Sequence, residues 1–431
     1  MEQSINRQML DFIAAGPSVY HVTENLARRL REHGFTSLSE RQPWTLQPGG
    51  RYFLCRSGSS LIAFTLPETE RWSGFRMAAA HCDSPGFKLK YDPELRDGSY
   101  LRLNTEGYGG MIMASWLDRP LSVAGRLVLR DGDGLRVQTV VLDRDLLVIP
   151  SVAIHMDRSV NDGRKLTANT DTVPLMGTAE CGSLRALLAE AAGVAEDAIA
   201  DADLYVYCRE PGRVIGGAEE FILSPRLDDL ECAWACMEGL LRADASGDAL
   251  QVCCIFNNEE VGSETKQGAG STLLRDTLRR ICLSTGRDEA AFQALLAGSF
   301  LVSADNAHAL HPNHPEYADS RHAPRMNGGV VIKYNANQRY ATDGVSAAMF
   351  RAVCERAGVP VQCFANRSDL PGGSTLGSIA DTLVPVATVD IGLAQLAMHS
   401  AVETAGAADP ALLLRAMETY YSCALPFPEE E

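Results

Sequence analysis

The sequence is short of positive charge. Its 431 residues carry 39 Lys and Arg against 55 Asp and Glu, a formal net charge of −16. That balance argues against nucleic acid and anionic membrane surfaces as partners, because both attract basic chains. An anionic substrate would need a local basic pocket working against the global field. Long apolar runs are also missing: none reaches the ~18 residues of a membrane span. The N-terminus carries Glu2 and Asp11 where a signal peptide would have a basic segment and a long apolar stretch, so the cytoplasm is the default expectation. The 12 cysteines lack regular spacing. Most lie in apolar runs, as Cys253 and Cys254 do, and read as small buried hydrophobes in a reducing compartment. Neither a dinucleotide nor a phosphate-loop signature occupies a strand–helix junction, which disfavours a nucleotide enzyme. Gly107–Gly110 is glycine-rich but lacks that context and the lysine, and reads as a plain loop.

What is present is ordinary globular material, 46% hydrophobic and 22% charged, in a chain long enough for two domains. Apolar spacing predicts amphipathic helices over 4–15 and 19–33, with Gly34 as a stop. Arg51–Leu54 and Ser60–Phe64 read as a hairpin, and Phe75–Ala80 as a strand. From about Leu89 to Phe221 the texture turns to short β-rich segments (Leu121–Leu129, Leu135–Leu142, Leu146–Ile154) with Gly and Asp turns. The expected organisation is an α/β domain made of residues 1–90 and 222–431, interrupted by a β-rich module at 91–221.

The chemistry concentrates where apolar strands end. Val252–Phe256 is a buried-strand pattern followed by two asparagines and then Glu259 and Glu260. Open α/β sheets place ligands at the carboxyl ends of their strands. Adjacent carboxylates repel unless a cation neutralises one or one is protonated. A hydrolytic metal site needs one carboxylate on the metal and one free to take a proton from water; a solvated acidic turn is the bland alternative. The strand ending at Ala80 delivers His81 and, two residues on, Asp83. Asp228 and Asp229 precede an apolar helix, Leu230–Leu241, where acids also serve as caps. Leu301–Ala304 ends in Asp305, followed by a histidine-dense loop. Gly329–Tyr334 is a strand carrying Lys333, either a pocket cation or a surface lysine on an edge strand. Gly372–Gly377 is a loop opening a helix, and His399 lies in Met398–Ser400. Two imidazoles and several carboxylates without thiolate suit a pair of zinc, cobalt or manganese ions ~3.5–4 Å apart.

The order and spelling of these motifs resemble the aspartyl aminopeptidase family of co-catalytic zinc exopeptidases along nearly the whole chain. The landmarks are AHCDSPGF around His81, IPSVAIHMDR around His155, LSPRLDDL around Asp228, NNEEVGS around Glu260, SADNAHALHPN around Asp305, GGVVIKYNANQRYATD around Lys333, GGSTLGSI around Thr375, and MHS at His399. The resemblance implies that His81 and Asp305 hold one metal, Glu260 and His399 the other, and that Asp228 bridges them. Glu259 would be the general base and Asp83 would orient the His81 side. It further implies a mixed-sheet α/β catalytic domain interrupted by a β-rich dimerisation domain, assembled as a dodecamer built from dimers. His155 would then reach a neighbouring subunit's site as a substrate-binding residue, with Lys333 and Thr375 as further substrate-binding candidates. The implied reaction releases N-terminal residues, preferably Asp or Glu, from peptides, using two divalent ions, zinc first. A binuclear-metal deacylase of N-acyl amino acids and a catalytically weak self-assembling scaffold are the rival expectations.

Overall fold

The computed structural model describes residues 2–245, 247 and 249–428. Its principal sheet has nine strands in the order Thr36–Ser37, Arg51–Arg56, Ser60–Thr65, Ala249–Phe256, Gly74–His81, Phe300–Ala304, Ala387–Gly392, Val330–Tyr334, Val361–Ala365. The four central strands, Ala249–Phe256 through Ala387–Gly392, run parallel. The outer strands include antiparallel partners, which makes the sheet mixed.

The central strands are almost wholly apolar because both faces are covered. Alternation still sorts them. Ala78, Ala80, Cys253 and Val302 face helices Val19–Glu32, Leu227–Arg242, Gly344–Ala357 and Asp409–Ser422. Met77, Ala79, Cys254 and Leu301 face helices Leu273–Ser284, Glu289–Ala297 and Leu376–Asp381. Parallel register then brings the polar strand ends together. Phe256 lies opposite His81, and Ser303 lies opposite Ala79, so Asp305 emerges beside His81 and Glu259 three residues beyond its neighbour.

A second, antiparallel sheet of six strands is built entirely between Gly86 and Cys208 and has its own apolar core around Phe87, Trp116, Leu127 and Val206. A third sheet of five short strands joins Phe221–Ser224 to Glu403–Gly406 and carries Ala307–His308 at one end. Its strands are two to four residues long, too short for periodicity to reveal.

Three expectations change. Leu146–Ile154 is not a strand: only isolated bridges form, Leu121 to Leu147 and Val148 to Leu175. Beyond Pro150, Val152, Ile154 and Met156 find no core in this chain and are exposed. Helix Glu289–Ala297, capped by the Asp288 side chain on Ala291 N–H, was not foreseen. The strand carrying Lys333 is not an edge, since it pairs on both sides.

Candidate functional site

Asp228 is the centre of the site. It precedes the regular part of helix Leu227–Arg242, and neither Asp228 nor Asp229 has helical backbone angles. Its carboxylate therefore points away from capping duty. His81 Nε2 lies 3.4 Å from Asp228 Oδ1, and His399 Nε2 lies 3.5 Å from Asp228 Oδ2. His399 Nε2 is also 3.3 Å from Glu260 Oε2. Ligand-type atoms gather in overlapping groups: His81 with Asp228, Asp229 and Asp305; His81 with Glu259 and Glu260; Asp228 with Glu260 and His399.

Both imidazoles are anchored through their other nitrogen. His81 Nδ1 is 3.0 Å from the Asp83 carbonyl, and His399 Nδ1 is 2.8 Å from the Gly110 carbonyl. A carbonyl partner fixes the proton on Nδ1 and leaves Nε2 free as a ligand. His399 is held at a left-handed φ of +67°, and its N–H donates to Glu403 Oε1 at 2.8 Å. The other oxygen of Glu403 accepts the Asp228 N–H at 3.0 Å, so one buried carboxylate positions two of the candidate ligands.

Asp83 does the same for the acid pair. Its Oδ1 accepts the Glu259 N–H at 3.2 Å and its Oδ2 the Glu260 N–H at 3.1 Å. Tyr108 Oη donates to Asp83 Oδ2 at 2.7 Å and accepts from Asn258 Nδ2 at 2.8 Å. Asn258 takes the left-handed conformation that turns the chain out of its strand, a role its short amide side chain tolerates.

The electrostatics call for a cation. Burial, reinforced by neighbouring carboxylates, pushes Glu259 up to about 8 and Glu260 and Asp229 well above the carboxylate range. Burial also raises Asp305, against the pull of Lys333. Burial works to lower both imidazoles, but the surrounding carboxylates outweigh it: His81 is raised well above its ordinary value and His399 to about 9. Burial would lift Asp228 too, yet the two imidazoles hold its carboxyl low. Asp228 Oδ1, Asp229 Oδ1 and Glu260 Oε1 are buried with no hydrogen-bond partner. Orphaned carboxylate oxygens converging with imidazole Nε2 atoms are the donor set of a divalent-metal site.

The substrate-side candidates behave differently. Lys333 is 2% exposed; its Nζ donates to the Asp305 and Asn306 carbonyls at 2.7 and 3.3 Å and stands 3.6 Å from Asp305 Oδ2. Thr375 is equally buried and donates to Asp390 Oδ1 at 2.6 Å. Neither lines the cavity of about 430 Å³ that opens beside Met398, where His308, His314, Arg367 and Gln395 stand. His155 is exposed and joins none of the metal-capable groups among the described residues.

Sequence reasoning missed four contributors. Glu403 sits four residues after His399 without a recognisable motif. Asp229 looked like a cap; its Oδ2 accepts the His81 N–H at 3.1 Å. Tyr108 and Gly110 flank a glycine loop that is not plain: Gly109 has φ +71°, and a Cβ there would stand 3.1 Å from Glu260 Cβ. The repeated glycines were the available signal.

A family model described as aminopeptidase I zinc metalloprotease (M18) matches residues 12–421. The chain belongs to the M18 family of aminopeptidases. It is accordingly a metal-dependent hydrolase of the aminopeptidase class. A probable M18 family aminopeptidase 2 of Clostridium acetobutylicum is 42% identical over 430 residues, 98% of this chain and 99% of that protein. Among solved M18-type structures, one described as the Ape4 and Nbr1 complex is 36% identical with a TM-score of 0.94, covering 97% of this chain and 86% of that one. The yeast mApe1 dodecamer is 27% identical with a TM-score of 0.85, covering 97% and 96%. No helix among the described residues is long and apolar enough to cross a membrane.

Proposed function

We propose that the protein removes N-terminal residues from peptides, with preference for Asp and Glu, at a centre of two divalent ions, zinc first. The observation that carries this reading is the division of the Asp228 carboxylate: one oxygen faces the His81 side and the other the His399 side. His81 and Asp305 would hold one ion, Glu260 and His399 the other, and Asp228 would bridge. Divalent ions there supply Lewis acidity toward the scissile carbonyl and lower the pKa of water.

The protein's own groups do the rest. Glu259, buried beside the ligand-type groups, takes a proton from the attacking water and returns it to the leaving amine. Asp83 fixes the backbone of Glu259 and Glu260 together, so base and ligand move as one unit. For an acidic side chain, Arg367 gives the 430 Å³ cavity a guanidinium, and His308 and His314 add imidazole hydrogen-bonding groups. Lys333 acts on Asp305, its neighbour, and Thr375 on Asp390. His155 serves a neighbouring subunit's site in an assembly like the yeast dodecamer.

The test is hydrolysis of Asp-, Glu-, Leu- and N-acetyl-Asp anilides before and after chelation, with zinc, cobalt or manganese restored. Metal-dependent release from the free-amine acidic substrates supports the reading. Release from Leu alone removes the acidic preference. Release from the acetylated substrate alone makes the protein a deacylase.

A further inference from the structure

His399 lies near the end of the chain, yet the stretch that carries it is mounted on the segment between Gly86 and Cys208. Ala401 and Val402, 3% and 8% exposed, pack into the same apolar core as Phe87, Trp116 and Val206. Hydrogen bonds complete the mount. His399 Nδ1 stands 2.8 Å from the Gly110 carbonyl. The Ile112 N–H donates to the His399 carbonyl at 2.9 Å. The Ala401 N–H donates to Ser115 Oγ at 2.8 Å, and the Ser115 hydroxyl donates to the Ile112 carbonyl at 2.6 Å. One hydroxyl thus ties the residue that grips His399 to the residue two positions after His399.

Ser115 is itself held still. It belongs to the single 3-10 turn Met113–Trp116, too short to be fixed by its own hydrogen bonds. Its carbonyl accepts from Arg119 Nε at 2.6 Å, and the neighbouring Trp116 ring meets Phe87 edge-on with centroids 5.3 Å apart. The stretch that Ser115 grips needs holding. Ala397 and His399 have φ of +57° and +67°, a left-handed conformation that residues other than glycine keep only where surrounding contacts enforce it. The candidate ligands on the other side of Asp228 are mounted differently. His81 Nδ1 stands 3.0 Å from the Asp83 carbonyl, the His81 N–H donates to Asp229 Oδ2, and the Asp305 N–H donates to the Ile391 carbonyl. Those partners all lie outside the segment between Gly86 and Cys208.

We propose that Ser115 is a positioning residue for His399 and through it sets the affinity of one ion of the pair. The second half of that statement rests on the reading of the cluster as a two-ion centre. Ser115 touches no candidate ligand directly. Its hydroxyl fixes Ile112 on one side of the left-handed turn and the Ala401 amide on the other, and so presents His399 Nε2 to Asp228 and Glu260 at 3.5 and 3.3 Å. Without the hydroxyl, the Ala401 N–H loses its acceptor and the turn relaxes. Partners that orient a metal-binding imidazole from behind typically govern ten- to a hundredfold in metal affinity, to order of magnitude. The loss falls on the His399 ion, because the mounts of His81 and Asp305 do not pass through this turn.

The experiment titrates the chelated full-length protein with zinc in a metal buffer, so that each ion's affinity is read separately; His399→Ala marks which step belongs to His399. Ser115→Ala removes the hydroxyl and Ser115→Thr keeps it. In parallel, hydrogen exchange is followed by mass spectrometry over peptides spanning Met398–Val402 in the zinc-free proteins. The expected result is an affinity for the His399 ion about tenfold weaker in Ser115→Ala, an unchanged affinity for the other ion, faster exchange in the same variant, and near-wild-type values of both in Ser115→Thr. Equal weakening of the two ions, or of neither, overturns the proposal. A threonine variant as impaired as the alanine variant overturns it too, since the hydroxyl is then not the cause. A wild type that saturates at one ion refutes the two-ion reading alone if exchange still follows the expected pattern. Exchange unaltered in Ser115→Ala overturns the positioning role whatever the zinc count.

Discussion

At the scale of single residues, the site separates groups that face substrate from groups that serve other groups. Lys333 belongs to the second kind. Its ammonium is enclosed by the Asp305 and Asn306 carbonyls and the Asp305 carboxylate. Lys333→Ala should cut turnover of Asp and Leu substrates in equal proportion, because the damage passes through Asp305. Arg367→Ala should cut turnover of Asp-anilide about tenfold more than of Leu-anilide, a charge-pair effect partly screened at a half-exposed site. The reverse pattern in paired kinetics would return Lys333 to the substrate pocket. Four of the candidate ligands, His81, Asp228, Glu260 and Asp305, stood out in the sequence because each follows an apolar strand or precedes an apolar helix; His399 was marked only by the resemblance. The sequence could not show that Lys333 turns inward, since a strand's alternation says which face a residue takes and not what waits there. Glu403 and Tyr108 were invisible for a related reason: Glu403 reaches Asp228, and Tyr108 reaches Asp83 and Asn258, across sequence separations that no local pattern encodes.

At the scale of elements, the antiparallel sheet between Gly86 and Cys208 reaches into the candidate site. Its strand Tyr100–Tyr108 and the glycine loop that follows give the site two groups, the Tyr108 hydroxyl on Asp83 and the Gly110 carbonyl on His399. Tyr108→Phe removes a hydrogen bond to a carboxylate, worth about 1.5–3 kcal/mol. The expected outcome is a fall of about tenfold in kcat with zinc content and KM unchanged; an unaltered kcat would show that Asp83 needs no help from the module. A second element-scale prediction concerns helix Asp409–Ser422. The Asp409 carboxylate accepts the N–H groups of Asn327 and Gly329 instead of capping its own helix, and burial raises its pKa to about 7. A raised acid stabilises the fold while protonated. Its contribution is present below about 4 and is lost as pH rises through about 7. In denaturant titrations, wild type should lose stability relative to Asp409→Asn across that window, and parallel curves would count against it. The long helices and central strands were legible from periodicity. The five-stranded sheet was not, because its strands are too short and its pairings span the chain from Arg213 to Gly406.

At the scale of the whole molecule, the exposed apolar residues Val152, Ile154 and Met156 surround His155 on a segment without a core of its own. Such a patch fits burial against another copy of the chain, which is how His155 would reach a second site. Mixing His155→Ala with Glu259→Gln chains during assembly should restore activity that neither variant has alone, because some sites then combine an intact base with an intact neighbouring imidazole. Mixed assemblies as inactive as their parents would place His155 outside catalysis. The apolar texture of Leu146–Ile154 suggested a strand because the sequence does not distinguish a residue buried in its own chain from one buried against another. The central claim, that Asp228 divides its carboxylate between two ions, is tested most directly by counting zinc per chain as a chelated protein is reloaded, with activity followed in step. The account predicts saturation at two zinc ions per chain in the wild type, loss of the second ion in His399→Ala, and activity that appears only with both. Full activity at one zinc per chain, or a single bound ion at saturation, would contradict it.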